Sequence, residues 1–306
     1  MEGRLISSRE AQQIVLSSIV IAFVLSFLEG IIPFTRSLII TLIALIFFTI
    51  TQKVIAKKYG FHGEYQIWSL KDKKPGKTNF YSLVLHNLGI VIPILIFLFT
   101  NGLISTLTTS SFVIKKRESL TGKKFPFITE LEEAKILFSG IISFIFLAII
   151  FKILSNALPT EEAMIICLLL AIYHLIPIPN LPGSKIFFGS RTLYIFSIVL
   201  TGTMYLLLIN TSLVTSLITS IISSALILLF YIYTMEAGIS RPFAFGEYQG
   251  ISLSWRIIYV IAFFLVLLFL SLVLEAAAST VIALAIIIAT LIMLVYYYNK
   301  EIKKKD

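Results

Sequence analysis

Apolar residues run along this chain in long blocks separated by short polar intervals. Blocks long enough to cross a bilayer as helices occur at 12–34, 37–56, 134–155, 162–179, 192–210, 213–236, 254–275 and 277–298. The expected fold class is an all-α polytopic membrane protein. The longest polar stretches are 57–80 and 108–133, and no period of 20–50 residues repeats. The first block, Ile14 to Ile32, exceeds a signal-peptide core and lacks a small-residue cleavage site after it. It reads as a retained first span.

A further apolar run, 82–107, decides the topology. Gly89 and Pro93 interrupt it, and Asn101-Gly102 is a turn signal near its end. It is either one ordinary span or a segment that enters and leaves on the same side. The basic residues discriminate, with the N-terminus taken as cytoplasmic. If 82–107 crosses, 15 of the 25 lysines and arginines fall outside, among them Lys115, Lys116, Arg117 and the four C-terminal lysines. If it does not cross, only Arg36 and Lys152 do, and the remaining 23 share the cytoplasmic face. Positively charged loops stay cytoplasmic. Eight spans are therefore expected, with a re-entrant or membrane-surface segment at 82–107 and both termini cytoplasmic. Backbone that is irregular at membrane depth must be shielded by protein, so this segment is expected to pack against the other helices.

Composition agrees. The chain has 306 residues, 58% hydrophobic and 13% charged, with mean hydropathy +0.97. A soluble domain carries about 25% charged residues, so the principal partner is the lipid bilayer. The net charge of +9 follows the positive-inside pattern. It lacks the interleaved aromatic platforms of a nucleic-acid surface, and no nucleic acid is expected. Tyr59, Trp68, Tyr81, Trp255 and Tyr296 to Tyr298 stand at span ends as interfacial anchors. The lone cysteine, Cys167, has no partner for a disulfide or a thiolate metal site.

Candidate chemistry is sparse. The histidines are His62, His86 and His174, and no two are four residues apart. HExxH, a nucleophile elbow, a Walker loop and a dinucleotide fingerprint are absent. The unusual residues are polar groups within or beside spans: His174, His86, Glu29 and Glu275. Such groups are site candidates, although one at a span end can simply reach the interface. Tyr173 to Lys185 reads Tyr-His-Leu-Ile-Pro-Ile-Pro-Asn-Leu-Pro-Gly-Ser-Lys. Pro177, Pro179 and Pro182, followed by Gly183, cannot continue a helix. The span either unwinds to line a cavity or ends in a loop.

That segment resembles the Asn-Leu-Leu-Pro-Ile-Pro-Pro-Leu-Asp-Gly signature of site-2 protease-like intramembrane metalloproteases. Lys53-Val-Ile-Ala-Lys-Lys-Tyr-Gly60, with Glu64 after it, is similar to the stretch following HExxH in archaeal members. Glu133-Ala-Lys-Ile-Leu-Phe-Ser-Gly140 is similar to the family's lead into a Gly-Pro-containing span. The three occur in family order, and the resemblance covers about residues 12–210. It implies a protease-like transmembrane core over 1–210 and a C-terminal transmembrane extension over 211–306. The family topology also has a membrane-associated segment after the metal-site helix, as the charge count does here.

The decisive positions depart from the family pattern. Phe48 and Gln52 stand where the histidine ligands would be, Thr49 where the glutamate base would be, and Pro182 where the aspartate ligand would be. His174 replaces the signature asparagine, and Ile141 replaces the Gly-Pro proline. Zinc and its activated water need those ligands together. The expectation is a non-catalytic homologue with no catalytic residue, metal or cofactor. Its cleft candidates are His174, His86, Pro177, Pro179 and Gly183. It would bind transmembrane helices or a membrane complex, and its lysines would favour anionic lipid or an acidic partner. The alternatives are a transporter or channel, and a residual peptidase with an atypical site.

Overall fold

The computed structural model describes residues 6–26, 30–69, 87–103, 105–107, 110–115, 128–155, 160–232, 287–288 and 291–292. The chain divides into two units, 1–194 and 195–306.

In the first unit, α1 (Ser8–Ser26) begins at a reciprocal cap. The Ser7 amide donates to Glu10 Oε2 (2.8 Å), and the Glu10 amide donates to Ser7 Oγ (3.3 Å). This pairing satisfies amides that helix geometry leaves open. Helix α2 (Ile31–Lys58) has 28 residues. At 1.5 Å per residue it is about 42 Å long, more than a hydrocarbon core of about 30 Å requires. The surplus carries Lys53, Lys57 and Lys58 past the apolar stretch. Gly60, at φ +82°, closes the helix in the left-handed conformation that glycine tolerates. The amides of Gly60 and Phe61 return to the Lys57 and Ala56 carbonyls, a Schellman closure.

The chain then forms β1 (His62–Ile67), which pairs antiparallel with β2 (Ser110–Lys115), Tyr65 opposite Phe112. Between them lies α3 (Leu88–Phe99). It starts at the sheet, where the Gly89 amide donates to the Trp68 carbonyl (3.0 Å). It runs along α1, and Phe97 meets Phe23 edge-on at 5.6 Å between ring centres. Gly89 to Phe97 covers about 12 Å of helix rise. Asn101 (φ +50°) and Gly102 (φ +81°) then turn the chain. Because β1 and β2 are paired, the segment between them ends at the level where it began. Of the expected span-like run, 82–86 and 104 lie outside the described residues.

Helix α4 (Glu130–Leu154) opens with a capping box, Thr129 with Glu132. Helix α5 (Glu161–Leu175) runs back antiparallel to it. The fourth expected span, 162–179, is therefore shorter than its apolar run. Its 15 residues rise about 22 Å, and helical hydrogen bonding stops before Pro177 and Pro179 remove two donors. A short α6 (Pro182–Gly189) follows, with Pro182 in the first helical turn, where a missing N–H costs nothing. Leu181 packs with Trp68 and Leu88, tying this break to the sheet and to α3.

Helix α7 (Arg191–Asn210) leads into the second unit, which also holds α8 (Leu213–Tyr231). The buried residues of α8 are Ser216, Ser220, Ser223 and Ser224. Its exposed positions include Val214, Ile218, Ile221 and Ile222. Small polar residues facing protein and aliphatic residues facing outward is the distribution of a helix in lipid.

Among the described residues, α1, α2, α4, α7 and α8 are long and apolar enough to cross a membrane. The chain is a mostly helical, multi-pass membrane protein by this composition. The expected spans 254–275 and 277–298 lie almost wholly outside the described residues. The start of α1 and the ends of α2 and α5 meet at the sheet, and the start of α4 packs against α6. That end carries Arg9, Lys53, Lys57, Lys58, Lys135 and Lys185, while Arg36 and Lys152 sit at the opposite end.

Candidate functional site

Helices α2, α4 and α5 converge beside the sheet. Phe48 stacks on Phe144 with ring centres 4.8 Å apart and planes at 11°. The His174 ring leans against both, 5.1 Å from Phe48 and 5.2 Å from Phe144. One turn on from Phe48, the Gln52 amide donates to the Leu137 carbonyl of α4 (3.3 Å). Thr49 returns its hydroxyl to the Leu45 carbonyl (2.7 Å). Phe48, Thr49, Gln52, Phe144 and His174 are all buried.

Gly140 lets the helices close. A Cβ there would lie 2.5 Å from Phe48 Cε2 and would also collide with the Gln52 amide nitrogen. Gln52 Oε1 is buried without a hydrogen-bond partner. Ile141, beside Gly140, is fully buried.

His174 is saturated. Its Nδ1 is 2.7 Å from the Leu170 carbonyl, which can only accept, so Nδ1 carries the hydrogen. In the neutral ring Nε2 then accepts from the Ser110 hydroxyl, 2.6 Å away on β2. A serine held by a histidine at this distance is the contact that activates a nucleophile. Ser110 and His174, however, are 0% and 1% exposed, so a substrate has no approach to them here. Among the described residues, no group of three His, Cys, Asp or Glu side chains gathers where a metal ion would be held.

The proline break lies just below. Trp68 Nε1 donates to the Pro179 carbonyl (2.9 Å), and Ser111 Oγ donates to the Asn180 carbonyl (2.6 Å). The Tyr173 hydroxyl donates to the Ser105 carbonyl. The Trp68 and Ser111 bonds occupy carbonyls that the unwound helix leaves free, and the Tyr173 bond ties α5 to the segment after α3. Asn180 takes the left-handed conformation (φ +65°). A Cβ at Gly183 would lie 2.6 Å from the Ile176 carbonyl oxygen and would also run into the Leu175 carbonyl, so α6 folds back tightly on the end of α5. Pro182 is buried at that fold. Pro177 and Pro179 instead border an open groove of about 460 Å³ with Glu130, Glu133, Lys185 and Phe188.

The structure thus brings Phe48 and His174 into contact, sets Gln52 beside them, and places Pro177, Pro179 and Gly183 at the break. His86, Glu29 and Glu275 lie outside the described residues. Sequence reading missed Ser110 and the pair Glu10–Lys53. Glu10 Oε2 accepts from Lys53 Nζ (2.7 Å), and Oε1 accepts from the Tyr65 amide (3.1 Å). Ser7-x-x-Glu10 ahead of an apolar block was the available signal for the cap. Nothing local marks Ser110, whose partner is 64 residues away. The chain matches no protein-family profile, no curated protein and no solved structure.

Proposed function

We propose that this protein is a non-catalytic relative of site-2 intramembrane metalloproteases. In this reading it acts as a membrane scaffold or regulator that binds transmembrane helices. One observation carries the reading: Phe48 and Gln52, at the positions of the two expected histidine ligands, are packed into the helix interface. Phe48 fills the space between Phe144 and His174, and Gln52 spends its amide on α4. His174 supports it further, because both ring nitrogens are engaged and Nε2 has no lone pair left for a metal. The proline break, the short α6 and Gly140 are the parts of the motif set that shape a scaffold rather than perform a reaction.

The test is reconstitution. Full-length protein in lipid nanodiscs is titrated with a labelled single-span helix and followed by energy transfer, and bound zinc is measured on the same sample. Saturable helix binding without stoichiometric zinc is the expected result. One zinc per chain that disappears in His174→Ala overturns the proposal, and so does failure to bind any single-span helix.

A further inference from the structure

At the basic end of the first unit, the groove below the proline break has the opposite charge balance. Its walls are Pro177 and Pro179 on one side, Glu130 and Glu133 at the start of α4, and Lys185 and Phe188 on α6. Lys185 Nζ is 2.7 Å from Glu133 Oε1, so that ammonium is already neutralised. Glu130 is exposed and has no ion-pair partner among the described residues. The groove's lining therefore carries two carboxylates and one ammonium, and that ammonium is spent on Glu133. Phe188 is 75% exposed on its rim. An exposed ring beside an exposed carboxylate accommodates an aliphatic stem ending in a cation, by apolar contact, cation–π attraction and ion pairing together.

An anionic lipid headgroup would meet two carboxylates and an ammonium that is already paired, so the charge balance disfavours it. A transmembrane helix offers the complementary chemistry. Its basic-side flank carries lysine or arginine at the interface, level with a groove that borders α4 where that helix enters the apolar region. We propose that this groove is the docking site for the lysine- or arginine-bearing flank of a partner transmembrane helix. It rests on the helix-binding function above and supplies the contact that sets which end of the partner is recognised. The partner's apolar span passes alongside the unit, and Glu130 reads the charge of its flank.

The experiment uses full-length protein in nanodiscs carrying Phe188→p-benzoylphenylalanine, a photo-crosslinker at the rim. Three synthetic single-span peptides share one leucine-alanine core and differ only in the flank: lysine, serine or glutamate. Energy transfer from a donor on the nanodisc-embedded protein reports binding in general, and the crosslink reports the groove. The lysine flank should crosslink about fivefold more than the serine flank, within the range of a partly exposed ion pair. Glu130→Lys should move the preference to the glutamate flank. Equal crosslinking of all three flanks, an unmoved preference in Glu130→Lys, or a crosslink to phospholipid in place of peptide overturns the groove assignment. If peptides still bind by energy transfer in those cases, the helix-binding function stands without it. If none binds, that function has failed as well.

Discussion

At the basic end of the first unit, Glu10 and Lys53 approach to 2.7 Å, with their side chains 3% and 17% exposed. At the opposite end Arg36 and Glu162 are 3.5 Å apart and 53% and 37% exposed. The first pair joins α1, α2 and β1, because Glu10 also accepts amides from Ser7 and Tyr65. The second joins α2 and α5 through a looser chain, in which the Ser37 hydroxyl donates to Glu162 (3.0 Å) and pairs with Ser26 (2.7 Å). The difference reflects what each end must do. The basic end gathers strands, a proline break and a helix that turns back, and its backbone groups need side-chain partners. Among the described residues, the opposite end connects neighbouring antiparallel helices, for which a few hydroxyls suffice.

Mutations can break this contrast, beginning with the largest effect. Gly183→Leu sets a side chain against the Leu175 and Ile176 carbonyls, which belong to backbone and cannot yield. The variant should lose α6 packing and recover little folded protein in mild detergent, as read by gel filtration. Near-normal recovery would mean that the fold at the break is looser than described. Glu10→Ala removes the acceptor that the Lys53 ammonium and the Tyr65 amide share. It should cost about 2–3 kcal/mol, the range for a hydrogen bond to a charged group, seen as a lower midpoint in SDS unfolding.

His174→Leu strands the Ser110 hydroxyl in an apolar site, at a cost of about 1–3 kcal/mol. Adding Ser110→Ala should restore part of that loss. A double variant no better than the single one would show that ring packing, not the hydrogen bond, holds β2. Arg36→Ala is the smallest change, about 0–1 kcal/mol for an exposed pair. A loss comparable to that of Glu10→Ala would erase the distinction between the two ends.

The helices were legible in the apolar blocks, because span length and composition are local properties. Their ends were less so. Helix α5 stops at Leu175 although apolar residues continue to Ile178, since the prolines outweigh hydropathy. The strands went unread inside two polar stretches. Tyr65 and Ile67, and Phe112 and Ile114, do alternate with smaller or polar residues, but six-residue strands carry little signal. Their pairing also depends on contacts far apart in sequence. At the candidate site, positions 48, 52 and 174 were legible as departures from a motif. Their enclosure by Phe144, Gly140 and Ser110 was not, because only three-dimensional packing decides which side chains fill a shared space.

The pairing of β1 with β2 also has a consequence in time. When β1 leaves the ribosome, its partner is still roughly 40 residues from doing so. At about 5–20 residues per second that is about 2–8 s. For that interval β1 lacks the strand it finally pairs with, while α3 follows it out of the ribosome. The sheet can close only afterwards. Closure of this small ladder therefore marks the moment when the apolar segment has turned back, and a translation pause after residue 115 would give that turn longer to finish.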